Sequence, residues 1–258
     1  MEEKMSSNRK QRIGRVMIAK RVWTYWNSRP LPAEVEESIA SWRKTLPEYD
    51  ITVLDDRSVE GVAPSTYAQL VPAVKSDVVR CHALATHGGV WLDATLTLRD
   101  NLEWVFSAGQ SPAIHAFKFA REPYIENWFL AVRGNEGRRF METWKRAFYR
   151  VLESWPHVRG FYGAPCTTKP TYYIMYEAYC FLMRTDADFA RTRVHTMDAR
   201  WYMHPPKGWA MPVLGSRLIK YCTAGRTFRR RCRAVVPIVV VAFIAVLISR
   251  MAKKYGAR

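Results

Sequence analysis

The chain has 258 residues, 48% of them apolar and ten of them tryptophan, a composition that excludes disorder and allows a well-buried core. Its net charge is +17, but residues 1–21 and 217–258 carry most of the excess Lys and Arg. The centre, with 22 basic against 21 acidic residues, is near neutral. Proteins that bind nucleic acid more often carry a basic surface on the fold itself, so we expect no nucleic-acid partner.

Strands and helices are predicted to alternate through the central region. In chain order, the predicted elements are a strand at 20–25, a helix at Ala33–Thr45, a strand at 51–54, a helix that Gly88-Gly89 ends, strands at 90–98, 113–119 and 128–132, and helices at 136–153 and 171–183. This alternation predicts an α/β fold with a mostly parallel sheet flanked by helices.

Asp93 is the first candidate for chemistry, because it follows Val90, Trp91 and Leu92 in an otherwise apolar strand. A buried carboxylate is costly unless it is paired or bound to a metal. It therefore either pairs with an arginine or binds a hard cation such as Mg²⁺ or Mn²⁺ together with phosphate oxygens.

Asp77 and Arg80 are the second candidates. They are three residues apart on a predicted helix, so they share one face. On spacing alone they are an ordinary surface ion pair. Their helix, however, leads directly into Gly88-Gly89 and Asp93, which places all three groups around one corner.

Four motifs follow one another along the chain. They are Lys-Arg-Val-Trp-Thr-Tyr-Trp-Asn at 20–27, Ser-Trp-Arg-Lys at 41–44, Ser-Asp-Val-Val-Arg at 76–80 and Gly-Gly-Val-Trp-Leu-Asp-Ala-Thr at 88–95, followed by Glu-Asn-Trp-Phe at 126–129. In this order they resemble the motifs of the capsular polysaccharide synthesis glycosyltransferases. These enzymes are related to the mannosyltransferase-like group whose sugar-binding region contains a DXD motif, and more distantly to the clostridial glucosylating toxins.

The resemblance covers roughly residues 16–215 and implies a GT-A fold, a Rossmann-like sheet that binds a nucleotide-diphospho-sugar, usually with Mn²⁺. By the same resemblance, Trp23 packs on the nucleobase, and we include its neighbour Tyr25 in the nucleotide-sugar site. Asp77 and Arg80 contact the donor sugar and its phosphates, and Asp93 is the first carboxylate of the DXD element.

The second DXD carboxylate is replaced by Thr95, whose hydroxyl is a weaker metal ligand than a carboxylate. His204 is our candidate for an additional ligand, with a surface-loop histidine as the alternative. The segment from Trp201 to Trp209 resembles the loop that closes over the donor in related enzymes, so Trp209 is a further candidate for donor binding. Tyr172, Tyr173 and Tyr176 are interpreted as a helix face packed in the core, with the lining of an acceptor groove as the alternative. Glu126 and Asn127 are interpreted as possible contacts on the acceptor side.

The sequence predicts a metal-assisted glycosyltransferase, using Mn²⁺ or Mg²⁺, that moves a hexose or pentose from a UDP- or GDP-sugar to a hydroxyl of a glycan or glycolipid. We expect retention of configuration, since no catalytic base is evident. Asp77, Arg80 and Asp93 are the predicted catalytic residues. The alternatives are an inactive relative that binds nucleotide sugar or glycan as a scaffold subunit, and a basic protein that binds nucleic acid or anionic lipid.

The C-terminal region predicts a membrane anchor. Residues 234–249 are a run of 16 without a charge, slightly below the usual length of a span, with arginine on both sides. We therefore expect a basic arm at 1–15, the transferase domain at 16–215, a basic juxtamembrane segment at 216–233, a single transmembrane helix at 234–250 and a basic tail at 251–258. The first residues lack the apolar segment of a signal peptide, so the catalytic domain is expected on the cytosolic face. A buried C-terminal strand or helix is the alternative.

Overall fold

The computed structural model describes residues 18–103, 112–154, 173–199, 203–204 and 218–221. The strands are β1 (Arg21–Tyr25), β2 (Asp50–Leu54), β3 (Gly89–Leu92), β4 (Leu96–Leu98), β5 (Ile114–Lys118), β6 (Phe129–Val132), β7 (Val194–Asp198), β8 (Met203–His204) and β9 (Leu218–Tyr221). The helices are α1 (Ala33–Thr45), α2 (Pro72–His87), α3 (Gly134–Ser154), α4 (Ile174–Thr185) and α5 (Ala187–Arg191). The predicted α/β class is confirmed.

The main sheet has six strands in the order β2-β1-β3-β6-β5-β7. The predicted mostly parallel arrangement is wrong in one respect, because β6 runs antiparallel to both of its neighbours, β3 and β5. The sheet is therefore mixed. Since β6 runs against β3, the residues that enter β6 lie beside the residues that leave β3, and Asp93 N donates a hydrogen bond to Trp128 O at 2.9 Å.

The strand predicted at residues 90–98 is two strands in two sheets. The chain turns after β3, with Leu96 N donating to Asp93 O at 2.8 Å, and β4 then joins a small sheet in the order β4-β9-β8. Helix α1 holds β4 there, because Trp42 Nε1 donates to Leu96 O at 2.7 Å and Leu98 N donates to Ser41 Oγ at 3.1 Å. Asp93 is therefore at the end of a strand, not in the middle of one.

Two apolar clusters cover the two faces of the main sheet. Helices α2, α3 and α4 pack on one face around Trp91 and Trp144, and α1 packs on the other around Trp42 and Phe129. Burial of these large side chains is the main favourable term in folding. The helix that carries Asp77 and Arg80 is thus fixed against the sheet by its apolar face.

The corner between α2 and β3 requires glycine. Gly88 and Gly89 have φ angles of +65° and +89°, a region that side chains rarely occupy. A Cβ on Gly89 would lie 2.7 Å from Arg21 O in the neighbouring strand β1. The glycine pair thus allows α2 to turn directly into β3, which brings Arg80 close to Asp93.

Glu177 is a buried carboxyl on α4, 1% exposed, and its Oε2 has no hydrogen-bond partner among the described residues. Burial raises the pKa of Glu177 above its ordinary value, so the folded state increasingly loses stability relative to the unfolded state as the pH rises above the ordinary carboxyl range. Glu177→Gln removes this penalty. We expect it to raise the midpoint of thermal unfolding by about 2–4 °C at pH 8 and to leave it unchanged at pH 4. An equal shift at both pH values would contradict this assignment.

The predicted membrane anchor at 234–250 lies outside the described residues. Within those residues, none of the helices has the length and apolar character needed to cross a membrane. The predicted boundary at residue 215 lies shortly before β9, which is the central strand of the small sheet and pairs with both β4 and β8. Residues 218–221 therefore belong to the folded domain.

Candidate active site

Arg80 lies between two carboxylates at the edge of the sheet where β1 and β3 end. It forms an ion pair with Asp77, one turn earlier on α2, and its Nη2 donates to Asp93 Oδ1 at 2.7 Å. Trp91 contributes twice, since its ring lies 4.8 Å from the guanidinium carbon and its Nε1 donates to Asp93 Oδ1 at 2.9 Å. The structure thus brings the three predicted catalytic residues together.

Arg80 is 2% exposed, so its charge has little access to water. Burial disfavours the charged form of Arg80, but the adjacent carboxylates outweigh that effect and raise its pKa above the ordinary value. With both acids ionised, the three groups carry one net negative charge. The guanidinium is engaged by Asp77 and Asp93, and its predicted contact with the donor phosphates stays a prediction.

Asn127 and Tyr176 complete the network on the side of β6 and α4. Asn127 Nδ2 donates to Asp77 Oδ1 at 3.0 Å, and Tyr176 OH donates to Asn127 Oδ1 at 2.8 Å. Met175 Sδ lies 3.4 Å from Asn127 Nδ2 and 3.7 Å from Arg80 Nη1. The sequence motifs had suggested Asn127 for the acceptor side and Tyr176 for the core or an acceptor groove, but had not predicted that either contacts the Asp77 cluster. The signal for Asn127 was its place in the Glu-Asn-Trp-Phe motif.

These groups surround a small cavity of about 80 Å³. Its lining comprises Ala73, Ser76, Asp77, Arg80, Asp93, Asn127 and Tyr176. The Asp93 side chain is 22% exposed and that of Asp77 is 8% exposed, so Asp93 lies toward the solvent and Asp77 lies deeper. A ligand that enters from solvent therefore reaches Asp93 before it reaches the buried network.

The donor set is compatible with a hard cation that a substrate helps to hold. Among the described residues there is no group of three or more His, Cys, Asp and Glu side chains placed to bind a metal. Mg²⁺, however, is commonly held by one or two carboxylates together with substrate phosphates, and Asp93 supplies a solvent-accessible carboxylate. Thr95 is buried at the turn that follows Asp93.

Two further predicted site residues belong to the C-terminal part of the chain: His204, the candidate metal ligand, and Trp209, the candidate for donor binding. Trp209 lies outside the described residues. His204 is the last residue of β8, and the register runs from Leu96 through Lys220 to Met203 across the small sheet. His204 pairs with Tyr221, one residue further along β9 than Lys220. Because β4 and β9 are antiparallel, this step leads toward the start of β4, which the chain enters from Asp93 and the turn that follows it. The backbone of His204 is therefore at the end of the small sheet nearest to Asp93.

Trp23 and Tyr25, the predicted nucleotide contacts, lie on β1. Trp23 is 8% exposed and packs in the core, where its Nε1 donates to Gly88 O at 2.9 Å and its ring lies 5.4 Å from that of His87. This position gives no support to stacking on a nucleobase. Tyr25 OH donates to Asp56 Oδ1 at 2.5 Å, and Asp56 also accepts from Tyr67 and from Lys75 at 2.8 Å.

Comparison with curated proteins finds two fungal glycosyltransferases. The O-glycosyltransferase braB of Annulohypoxylon truncatum is 25% identical over 173 residues, which cover 57% of this chain and 41% of that protein. The glycosyltransferase afumC of Aspergillus fumigatus is 26% identical over 174 residues, which cover 56% and 43% respectively. The chain thus spans less than half the length of these relatives.

Two solved glycosyltransferases show a similar arrangement at low identity. A glycosyltransferase involved in glycosylation of the major capsid of PBCV-1 is 12% identical, with 79% of this chain and 93% of that chain covered and a TM-score of 0.48. The galactosyltransferase LgtC, solved with donor and acceptor sugar analogues, is 13% identical, with 78% and 87% covered and a TM-score of 0.46.

The family is established by a match to the sequence model for capsular polysaccharide synthesis proteins. The matched region is residues 1–158, more than half of the chain. It includes every residue of the Asp77, Arg80 and Asp93 cluster and extends through Asn127. The resemblance inferred from the sequence motifs is thus confirmed, and the chain belongs to the capsular polysaccharide synthesis protein family.

Proposed function

We propose that this chain is a GT-A glycosyltransferase that transfers a sugar, with retention of configuration, from a UDP- or GDP-sugar to a hydroxyl of a glycan or glycolipid. The observation that carries the proposal is the buried Arg80 that joins Asp77 and Asp93 beside a cavity at the carboxyl end of β3. Ligands in open α/β sheets bind at this edge. The two curated relatives, which are named as glycosyltransferases, support the same reaction class.

The charge of the site argues for a bound cation. Asp77, Arg80 and Asp93 together carry one net negative charge, which repels a bare diphosphate. Asp93 would hold a divalent ion together with oxygens of the diphosphate, and the ion would supply positive charge to stabilise the leaving nucleotide. His204, by the position of its backbone in β8, is the further candidate ligand.

Arg80 positions the carboxylates of Asp77 and Asp93. Its guanidinium reaches both carboxylates, and its place over the Trp91 ring fixes it against the core of the sheet. Groups held in place before the reaction need little reorganisation when charge develops. Asp93 is thereby directed to the mouth of the cavity, and Asp77 is directed to its interior.

Asp77 is placed to accept hydrogen bonds from hydroxyl groups of the donor sugar. It lies deeper than Asp93, and Arg80 and Asn127 hold its carboxylate. A sugar attached to a diphosphate at Asp93 extends into the cavity that Asp77 lines. This arrangement separates the site into a part that binds the diphosphate and a part that binds the sugar.

Release of nucleotide from UDP- and GDP-sugars by the full chain tests the proposal. We expect slow hydrolysis of one donor class that Mn²⁺ stimulates and a chelator abolishes, because the negatively charged cluster requires a cation to bind a diphosphate. Tight binding of nucleotide sugar without any release would favour the inactive scaffold, in which Thr95 has replaced a required ligand. Failure to bind any nucleotide sugar, with or without Mn²⁺, would contradict the proposal.

A further inference from the structure

We infer that Tyr176 is a positioning residue that controls recognition of the donor sugar through Asn127 and Asp77. The three side chains form a continuous hydrogen-bonded chain, with Tyr176 OH 2.8 Å from Asn127 Oδ1 and Asn127 Nδ2 3.0 Å from Asp77 Oδ1. All three are buried, and all three line the same cavity. The inference rests on the proposed glycosyltransferase function and adds to it a residue that acts on sugar selectivity.

The direction of each hydrogen bond in this chain is fixed by chemistry. The Asp77 carboxylate, paired with Arg80, is ionised and only accepts, so the amide of Asn127 must turn its NH₂ group toward it. The amide oxygen then faces Tyr176, whose hydroxyl must donate. The ionised Asp77 carboxylate thus sets the orientation of the amide, and the Tyr176 hydroxyl satisfies the amide oxygen in that orientation.

Removal of that hydroxyl leaves the Asn127 oxygen buried without this donor. Rotation of the amide does not relieve the loss, because it would place the oxygen against the Asp77 carboxylate. The unsatisfied oxygen instead favours a shift of the Asn127 side chain toward another donor or water, and that shift would move its NH₂ group away from the Asp77 carboxylate. The ring of Tyr176 is held independently, since its centroid lies 4.4 Å from that of Tyr124 and 5.9 Å from that of Tyr173. Tyr176→Phe should therefore keep the packing of α4 and remove the hydrogen bonds of the hydroxyl, to Asn127 Oδ1 at 2.8 Å and more weakly to Glu126 Oε2 at 3.4 Å.

The effect should fall on the sugar and not on the nucleotide. Asp93 lies at the solvent side of the cavity, and the hydrogen bonds that begin at Tyr176 reach it through Asn127, Asp77 and Arg80. A site that hydrogen-bonds a particular hydroxyl discriminates strongly against a sugar in which that hydroxyl points elsewhere. Loss of order at Asp77 should therefore weaken discrimination between sugars that differ at a single hydroxyl.

The test compares the full-length wild type with Tyr176→Phe and with Tyr179→Phe as a matched control. Tyr179 lies on the same helix and packs against Trp144 and Phe189, away from the cavity. Binding of UDP, GDP, UDP-glucose, UDP-galactose and GDP-mannose is measured by calorimetry with Mn²⁺, together with nucleotide release from each sugar donor.

For Tyr176→Phe we expect kcat/KM for the preferred donor to fall by about 10- to 100-fold, the effect of losing one buried hydrogen bond and leaving its partner unsatisfied. The ratio of kcat/KM values for UDP-glucose and UDP-galactose, or for the preferred donor and its poorest competitor, should move closer to one. Binding of the free nucleoside diphosphate should be unchanged, and Tyr179→Phe should match the wild type in every assay.

Unchanged donor selectivity in Tyr176→Phe, or an equal loss of affinity for free nucleotide and for sugar nucleotide, would overturn this inference while leaving the transferase function intact. A wild type that binds none of these nucleotides would instead contradict the proposed function itself. The two failures are therefore distinguishable in the same experiment.

Discussion

Asp93→Asn is expected to lower the rate of nucleotide release by about 100- to 1,000-fold, the usual cost of removing a preorganised charged group from an active site. The amide keeps the size of the side chain and retains an oxygen to accept from Trp91 Nε1. It removes the solvent-accessible negative charge that we assign to the cation. The measurement is the initial rate of nucleotide release at saturating donor over a range of Mn²⁺ concentrations.

Asp50→Asn is the control for this variant, since Asp50 is an exposed residue at the start of β2, at the opposite edge of the sheet. It should retain the wild-type rate and the wild-type dependence on Mn²⁺. An Asp93→Asn protein with wild-type rate and metal dependence would show that the cation is held elsewhere, or that none is used.

Arg80→Met is expected to lower the free energy of unfolding by about 3–5 kcal/mol, the range found when one partner of a buried ion pair is removed. Methionine fills much of the space but leaves Asp77 buried without the cation that pairs with it and Asp93 with one fewer partner. In a domain of this size the midpoint of thermal unfolding should fall by about 10 °C. Thermal unfolding followed by circular dichroism measures the shift.

Arg146→Met is the matched control, because Arg146 makes an exposed ion pair with Glu142 within α3 at 4.0 Å. Exposed pairs of this kind contribute little, so its midpoint should stay close to that of the wild type. Arg80→Lys should lie between the two, since lysine keeps the charge but lacks the fork that contacts both carboxylates. Equal midpoints for Arg80→Met and Arg146→Met would mean that the buried network contributes nothing to folding.

The centre of the site could be found from the sequence because its residues lie in short motifs whose order resembles that of a known family, although spacing alone made Asp77 and Arg80 an ordinary surface ion pair. Asp77 and Arg80 are three residues apart on a helix with a clear apolar face, and the glycine pair marks where that helix ends. Asp93 follows a run of apolar residues that could only be a strand. These patterns depend on neighbours within one or two turns, which is the range that periodicity reports.

The contact between Asn127 and Asp77 was not predicted, because the place of Asn127 depends on the direction of a strand. An apolar run such as Phe129–Val132 has the same composition whether it is parallel or antiparallel to its neighbour. With β6 parallel, Asn127 would lie at the opposite edge of the sheet from Asp93. The antiparallel pairing of Phe129 with Leu92 brings it beside Asp77.

The hydrogen bond of Trp23 could not be predicted either. In an apolar strand a tryptophan can lie on either face of the sheet, and the sequence pattern does not show which group its indole N–H contacts. The partner is Gly88 O, 65 residues further along the chain, at a corner whose geometry depends on Gly88 and Gly89. The split between β3 and β4 was likewise hidden, because it depends on the hydrogen bond that Trp42 donates to Leu96 O and on the one that Ser41 Oγ accepts from Leu98 N.

The pairing of β4 with β9 has a consequence for how the molecule acquires its site. Leu96 and Lys220 are partners although 123 residues separate them along the chain. Contacts of such long range carry a large loop-closure cost and are slow to form. During synthesis on the ribosome, the Asp77–Arg80 helix emerges early, whereas the strand that completes the sheet next to the Asp93 turn emerges more than 120 residues after that turn. We therefore expect nascent chains to gain compact structure well before they gain a competent active site.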